Sequence, residues 1–364
     1  MADTGKSCVV AVEPVLPDHV YDQAAITAAV GPLVASEPGR GALLRRLHAS
    51  AGVDHRHLVL PLEEYADLHS LGTTNAIFVR EAAALAEEAC RRALDSAGLA
   101  PQDVDHVFAT SVTGVAAPSL DVLLAERLGL RGDVRRTPSF GLGCAGGAAG
   151  LARVHDHLLG RPDDVALLVS VELCSLTLQH GDDSTANMVA SGLFGDGAAA
   201  VVVVGERHPL ARTGRTAPAT IVDTRSHLYP GTTDALGWEV RDTGFAIVLS
   251  AGLPDLLAAH LLADVKGLLA DHDLTPEDVP TWVVHAGGPR VIDAVRDTLG
   301  LPEDAVRESR ASLACAGNLS SSSVLDVLAR TLAHDDAPPG SPAVLMAFGP
   351  GVACELVLLR TGGR

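Results

Sequence analysis

Apolar positions along this chain follow two rhythms. Val9–Val12, Val165–Val171, Ala198–Val204, Trp282–Val284 and Leu356–Leu359 are short, near-continuous apolar runs. Such runs, rich in Val and Leu, predict strands covered on both faces in the middle of a layered sheet, because a strand open to water on one side would alternate with polar residues. Between them the apolar residues return at the spacing of a helix face. That periodicity predicts helices over 22–30, 41–51, 78–96 and 324–332, and a buried helix running from Gly146 through Leu151 and Val154. Alternation of the two rhythms predicts an α/β architecture. Gly205–Pro218, the least regular stretch, reads as a join, and the Pro-rich His334–Pro342 as a surface loop.

The pattern also repeats. Leu99–Thr110 aligns without gaps on Leu274–His285, both opening Leu-x-Pro-x-Asp-Val before an apolar strand. The offset is 175 residues, and an offset one residue shorter carries Cys144 onto Asn318. Those two residues stand in matching small-residue loops that open helical runs, Gly141–Gly150 and Cys315–Ser323. A further echo joins Leu193–Val204 to Ala347–Leu358. Repetition on this scale predicts two pseudo-symmetric copies of one α/β unit, placed at 8–208 and 218–364, with equivalent loops facing one another across a shared cleft.

Composition narrows the class. With 364 residues, 47% of them hydrophobic, a sizeable buried core is expected. No apolar run approaches the ~18 residues of a membrane-spanning helix, and Met1–Lys6 lacks the basic start and apolar core of a signal peptide, so a cytoplasmic protein is expected. A net charge of −18 argues against nucleic acid or an anionic membrane as partner. The cysteines (8, 90, 144, 174, 315 and 354) have no CxxC spacing, so reduced thiols are expected, with neither a disulfide framework nor a metal site. The only lysines, Lys6 and Lys266, lie outside any glycine-rich context, which leaves Schiff-base chemistry without a candidate.

Cys144 is the first candidate for chemistry. It sits among glycines at 141, 143, 146 and 147 at the start of a helix, where backbone N–H groups can approach a ligand and the dipole favours a thiolate. A small thiol packed in a core fits the same stretch. His285, in Val284-His-Ala-Gly-Gly-Pro-Arg290, follows an apolar strand and is likewise isolated among glycines. With Asn318 it completes a set of three polar side chains in matching loops. A neighbouring imidazolium would favour the thiolate, and His285 with Asn318 could donate to a developing oxyanion.

At these residues the sequence resembles the type III polyketide synthases, the chalcone-synthase-like branch of the thiolase fold. The motifs are Gly-Cys-Ala-Gly-Gly at 143–147, Leu-Phe-Gly-Asp-Gly at 193–197, His-Ala-Gly-Gly-Pro at 285–289, Gly-Asn-Leu-Ser-Ser at 317–321 and Phe-Gly-Pro-Gly at 348–351, in family order from about Val9 to Leu359. The resemblance implies a five-layered αβαβα fold of two duplicated halves. It implies that Cys144 carries an acyl chain as a thioester while His285 and Asn318 hold the thioester carbonyl of malonyl-CoA. Loss of CO2 would leave an enolate that attacks the acyl-cysteine, and repetition followed by cyclisation would give an aromatic or pyrone product. CoA thioesters, malonyl-CoA and a starter acyl-CoA, are then substrates rather than cofactors; neither metal nor carrier protein is required, and a C2 homodimer is expected.

Further residues carry over on the same grounds. Phe194 matches one gatekeeper of the family's cavity, and Ile247 stands at the second, with Phe245 nearby. Cys174, Thr177 and Trp238 match cavity-lining positions, and Gly349 and Pro350 belong to the Phe-Gly-Pro-Gly substrate-binding motif. Trp238, where many plant members have glycine, should shrink the pocket. Arg46 matches a residue that binds CoA phosphate, but Leu43 and Ser50 replace its basic neighbours, so Arg45 or Arg290 would have to compensate. The His-Ala-Gly-Gly-Pro form and Val240–Phe245 look most like bacterial members, including those that make tetrahydroxynaphthalene from malonyl-CoA alone. Those carry a second cysteine where this chain has Thr177, so malonyl-CoA is expected as extender and the starter stays open.

Three rivals fit parts of the pattern. A β-ketoacyl synthase III-like enzyme of the same fold would need a basic patch to dock an acidic carrier, which the overall acidity disfavours. A cysteine hydrolase also uses Cys, His and Asn in that order, but the papain-like signature places its cysteine near the N-terminus in an aromatic context. A non-catalytic dimerising scaffold would retain all three polar residues only by coincidence.

Overall fold

A computed structural model describes residues 5–35, 37, 39–212, 217–334 and 336–362. The chain opens with β1 (Ser7–Val15) and a small antiparallel pair, β2 (His19–Asp22) and β3 (His55–Leu58), that brackets α1 (Gln23–Val34) and α2 (Arg40–Ala49). The long α3 (Leu71–Ala97) leads to β4 (His106–Ser111), α4 (Leu120–Leu128), β5 (Arg135–Phe140), α5 (Gly146–Gly160), β6 (Val165–Leu173), α6 (Thr185–Leu193) and β7 (Asp196–Gly205). After a short α7 (Pro209–Arg212) come β8 (Ala219–Leu228), the hairpin β9 (Leu236–Arg241) and β10 (Gly244–Leu249), and α8 (Leu253–Ala270). The chain closes with β11 (Thr281–Val284), α9 (Pro289–Leu299), α10 (Arg307–Ala316), α11 (Ser323–His334), β12 (Pro342–Gly349) and β13 (Ala353–Thr361).

The strands run β11-β12-β13-β8-β1-β7-β6-β4-β5. The two halves mirror each other outward from the β8–β1 junction. β4 and β6 are parallel and β7 and β1 antiparallel to their neighbours, as are β11 with β12, then β13 and β8. Ser7–Val9 pairs with Ala219–Ile221, so the two half-sheets join at one corner. The layers are nonetheless those of a five-layered αβαβα sandwich. α5 and α11 lie in the middle, with α5 touching β4, β6 and β7 on one side and β12 and β13 on the other; α3 covers one half-sheet from outside and α8 the other.

This layering explains the uninterrupted apolar runs. Along β6, Val165, Leu167, Val169, Val171 and Leu173 face the outer core beneath α3, while Ala166 and Leu168 face the central layer. Along β7, Ala198, Ala200, Val202 and Val204 alternate in the same way with Ala199, Val201 and Val203. Both faces are buried, so period-2 polarity has no place.

The duplicated Leu-x-Pro-x-Asp-Val segments adopt one local structure. Asp103 Oδ2 accepts from Ala100 N and Asp278 Oδ2 from Thr275 N, each at 2.8 Å, closing a single 3-10 turn before β4 and β11. The third echo is different. It equates β7 with β13, but Leu193 and Phe194 close α6 whereas Ala347 and Phe348 lie within β12. The N-terminal half inserts a 3-10 turn (Cys174–Thr177) and α6 between its strands, where the C-terminal half turns directly from Gly349 to Ala353.

The helices expected at 22–30, 41–51 and 78–96 are α1, α2 and α3. α3 reaches back to Leu71 because Ser70 caps it, its Oγ accepting from Thr73 N. Of the expected join, 213–216 lie outside the described residues, and the rest holds α7; within the loop after α11, residue 335 lies outside them too.

Candidate active site

Cys144 occupies a single 3-10 turn, Gly143–Ala145, that runs straight into α5, the helix at the centre of the molecule. Gly143 is held at φ +52, and a Cβ there would lie 2.4 Å from Pro350 Cδ. Gly349 presses on the same turn, since a Cβ on it would meet Leu142 O at 2.4 Å. Gly349 and Pro350 thus form the wall behind the cysteine turn. The glycines at 146 and 147 answer a packing need. They let α5 pack on the loop after Asn318, where a Cβ on Gly147 would meet Ser321 O at 2.4 Å.

The opposite half supplies the partners. The Cys144 thiol donates to Ser320 Oγ at 3.7 Å, and the Asn318 amide is also within hydrogen-bonding reach of the sulfur. Asn318 is buried, and its Oδ1 accepts from Ser320 N at 2.8 Å. That bond fixes the amide orientation, leaving Nδ2 as the donor side, with Gly287 O at 3.4 Å. Gly287 lies against the ring of His285, near Cδ2 and Nε2, so the His285 ring and Asn318 Nδ2 both border Gly287. His285 is buried, its backbone is tied to β12 through Met346 O at 3.0 Å, and its Nδ1 has no partner.

The electrostatics correct the expectation of a thiolate beside an imidazolium. Cys144 is only half-buried, but dense surroundings push its thiol up to about 12, with the Glu172 charge raising it further against the Ser320 and Asn318 hydrogen bonds. Burial pushes His285 down to about 4. Both shifts favour the neutral thiol and the neutral imidazole, the pair between which a proton passes when the sulfur attacks.

Sequence reasoning missed the polar network beneath the cysteine. Glu172, buried in β6, accepts from Ser321 Oγ, from Ser320 Oγ at 3.2 Å, from Thr113 Oγ1 at 2.9 Å and from Val112 N at 3.0 Å. Burial still raises its carboxyl above the ordinary range. Ser320 stands in the left-handed region, φ 49, rare for a residue with a side chain. A run of four serines directly after Leu319 was the available signal.

An apolar cavity flanks this centre. Cys174, Thr177, Phe194, Trp238 and Ile247 all line it. Ile247 and Trp238 are directly paired across the β9–β10 ladder, and the rings of Trp238 and Phe194 are 6.3 Å apart. Phe194 is tied to the centre through its backbone, because Asn318 N donates to Leu193 O and Gly195 N to Asn318 O. Thr177 turns its hydroxyl to Cys174 O at 2.7 Å, and Phe245 packs beside Phe140 instead of reaching the cavity lining. Arg45, Arg46 and Arg290 all lie exposed at the surface. The end of α2 meets the start of α9 there, since a Cβ on Gly52 would lie 3.0 Å from Pro289 Cγ. Among the described residues no cluster of three or more His, Cys, Asp or Glu side chains is placed to hold a metal ion, and no helix is long and apolar enough to cross a membrane.

A cysteine at the head of the central helix of two facing α/β halves, with polar partners from the opposite half, defines a condensing enzyme of the thiolase fold. Comparison with known proteins narrows the class. Residues 1–207 match the description "Chalcone and stilbene synthases, N-terminal domain" and residues 220–362 the corresponding C-terminal domain. The chain is 53% identical to a 1,3,6,8-tetrahydroxynaphthalene synthase of Streptomyces peucetius subsp. caesius, over 98% of this chain and 94% of that one. It is 30% identical to a phloroglucinol synthase of Pseudomonas fluorescens, over 94% and 95%. The crystal structure of the tetrahydroxynaphthalene synthase from Streptomyces coelicolor A3(2) superposes with a TM-score of 0.91 at 32% identity, covering 98% of this chain and all of that one. The chain belongs to the chalcone and stilbene synthase family. It is a type III polyketide synthase, an acyltransferase that condenses malonyl-CoA units iteratively into an aromatic polyketide.

Proposed function

We propose that Cys144 is the nucleophile that carries the growing chain, that His285 and Asn318 donate to the thioester carbonyl of malonyl-CoA, and that malonyl-CoA serves as both starter and extender. The observation that carries this reading is the hydrogen bonding of the Cys144 thiol with Ser320 and Asn318 together with the packing of Asn318 Nδ2 and the His285 ring against one residue, Gly287. The cysteine sulfur attacks an acyl-CoA carbonyl, its proton passes to the neutral imidazole, and CoA leaves as the thiol once that proton is returned. A second malonyl-CoA loses CO2, and the electron pair left behind rests as an enolate on the thioester oxygen, held by His285 and Asn318. The enolate carbon then attacks the Cys144 thioester and expels the thiolate. Donors aimed at a developing oxyanion in a site shielded from water typically contribute about 3 kcal/mol each.

The choice of malonyl-CoA as the sole substrate rests on the 53% identical relative, whose name states its product as 1,3,6,8-tetrahydroxynaphthalene. We assign the same product to this chain. Phe194 and Ile247 flank the way to the cysteine, Cys174, Thr177 and Trp238 shape the cavity, and Gly349 and Pro350 back the cysteine turn. Arg46, Arg45 and Arg290 receive the CoA phosphates. No carrier protein takes part. A homodimer is supported by β5, which ends the sheet with one side unpaired, and by the exposed Phe140 and Val115 beside it.

Incubation with malonyl-CoA alone, followed by mass spectrometry of products and of the intact protein, tests the assignment. Tetrahydroxynaphthalene and an acyl adduct on Cys144, both lost in Cys144→Ala, are expected. An undiminished product from Cys144→Ala, or product only when another acyl-CoA is added, would overturn it.

A further inference from the structure

Arg56 lies in β3, remote in sequence from every motif described above, and is 3% exposed. Its stem runs beneath Gly317, where a Cβ would lie 3.2 Å from both its Cγ and Cδ. Arg56 is among the residues that line the cavity with Cys174, Thr177, Phe194, Trp238 and Ile247. Only one of its nitrogens has a partner: Nη1–H donates to Phe194 O at 2.9 Å, while Nε and Nη2 are buried and bonded to nothing. Burial lowers this guanidinium to about 10, which leaves it charged at neutral pH.

The nearest counter-charge is already committed. Asp196 is the main stabilising charge for Arg56, yet its oxygens accept from Val59 N at 2.9 Å, Ser175 N at 2.8 Å and Ser175 Oγ at 2.5 Å. A buried cation with idle N–H donors is costly unless something later accepts them. Trp238 and Ile247 face the cavity from β9 and β10, and the polar side chains that also line it, Tyr65, Ser175, Thr177, Asn187 and Ser191, leave Nε and Nη2 unbonded. An occupant that carries an acceptor would satisfy them.

Resting on the polyketide-synthase reading above, we propose that Arg56 is a substrate-anchoring residue whose free Nε–H and Nη2–H bind an enolate oxygen of the β-keto chain held on Cys144, and so set how long that chain grows. A methylene between two carbonyls is acidic, and a forked cation in an apolar cavity favours its enolate. The anchored oxygen is the atom that would otherwise end synthesis early. In premature release, an enol oxygen bonds to the thioester carbonyl carbon, the C–S bond breaks, and the enol proton ends on the Cys144 sulfur, giving a pyrone and the free thiol. Arg56 holds that oxygen away from the thioester.

The test separates anchoring from folding and from the general reading. Wild type, Arg56→Lys and Arg56→Met are incubated with malonyl-CoA; CO2 release, the intact-mass adduct on Cys144 and the ratio of pyrones to full-length aromatic product are measured together. Measured per acyl adduct formed on Cys144, Arg56→Met should raise the pyrone ratio tenfold or more, and Arg56→Lys should fall between. An unchanged ratio, or a loss of loading and CO2 release in step with product, overturns the anchoring role. Absence of loading in the wild type would instead refute the enzyme reading. Should Arg56→Met not fold, the wild type decides: loading acetoacetyl-CoA onto Cys144 should shift the Arg56 Nε–H resonance, assigned by its absence in Arg56→Lys, and no shift overturns the proposal.

Discussion

The Cys144 thiol and the Glu172 carboxyl share one hydroxyl, because Ser320 Oγ accepts from the sulfur at 3.7 Å and donates to Glu172 Oε1 at 3.2 Å. The negative charge of Glu172 helps to hold the thiol protonated. Replacing it with the neutral isostere, Glu172→Gln, should make the thiol more acidic and speed its alkylation by iodoacetamide at pH 8 by about tenfold. Alkylation slower than wild type in a variant that melts normally would contradict this coupling.

Acid should destabilise the protein through buried imidazoles. His48 is pushed down to about 4 by burial and then by the neighbouring Arg56 charge, and its two nitrogens are satisfied by Thr27 Oγ1 at 2.9 Å and Ser191 Oγ at 3.1 Å. In the unfolded chain it takes its proton near 6.5, so its contribution is complete above that pH and is lost as the pH falls toward 4. Asp196, held up at about 6 by burial, has the opposite sign: its contribution is present at low pH and is lost between about 4 and 6. The comparison that isolates the histidine is wild type against His48→Gln. Between about pH 6.5 and 4 the wild type should lose up to about 3 kcal/mol more than the variant, read from denaturant midpoints at each pH. Parallel curves would exclude the assignment.

Trp238 should limit what the cavity accepts. Its ring faces Phe194 and its cross-strand partner is Ile247, so Trp238→Gly opens the cavity at its aromatic contact. Because Trp238 is only half-buried, the loss of stability should stay below the roughly 3–5 kcal/mol typical of a fully buried large aromatic. Measured with a series of acyl-CoA starters of increasing length, the variant should extend starters that the wild type leaves unused. An unchanged starter range would show that another residue sets the limit.

Assembly should depend on the free edge of β5. Phe140, 53% exposed, ends that strand, and Val115 lies exposed beside it. Phe140→Asp should raise the dimer dissociation constant by about tenfold or more, since a carboxylate in an apolar contact costs at least about 1–2 kcal/mol. Light scattering over a concentration series reads this directly, and a variant that dissociates no more readily than wild type would place the interface elsewhere.

How far the sequence reaches differs between scaffold and cavity. β6 and β7 are legible as uninterrupted apolar runs because both of their faces are covered, and the Leu-x-Pro-x-Asp-Val repeat is legible because each copy closes its turn with its own aspartate, Asp103 or Asp278. Those two local signals are enough to place Cys144 and Asn318 as counterparts. β5 escapes detection because its residues, Arg135 to Phe140, lie mostly exposed on an edge strand and carry no apolar rhythm. The charge state of the site was also beyond reach. A thiol at a helix start reads as acidified, and only the density of protein around Cys144 and His285 pushes one up and the other down.

The cavity marks the boundary. Cys174 and Phe194 come from segments inserted between β6 and β7, Trp238 and Ile247 from a hairpin, and Arg56 from a strand that belongs to no repeat. The duplicated core obeys local periodicity, which a linear chain displays openly, so sequence alone decided the fold and singled out three polar residues in matching loops. What surrounds the bound chain depends on side chains from separate, unrelated segments meeting in space. An unsatisfied guanidinium beside a committed Asp196 has no signature along the chain, because whether a donor finds a partner is decided only by what packs against it.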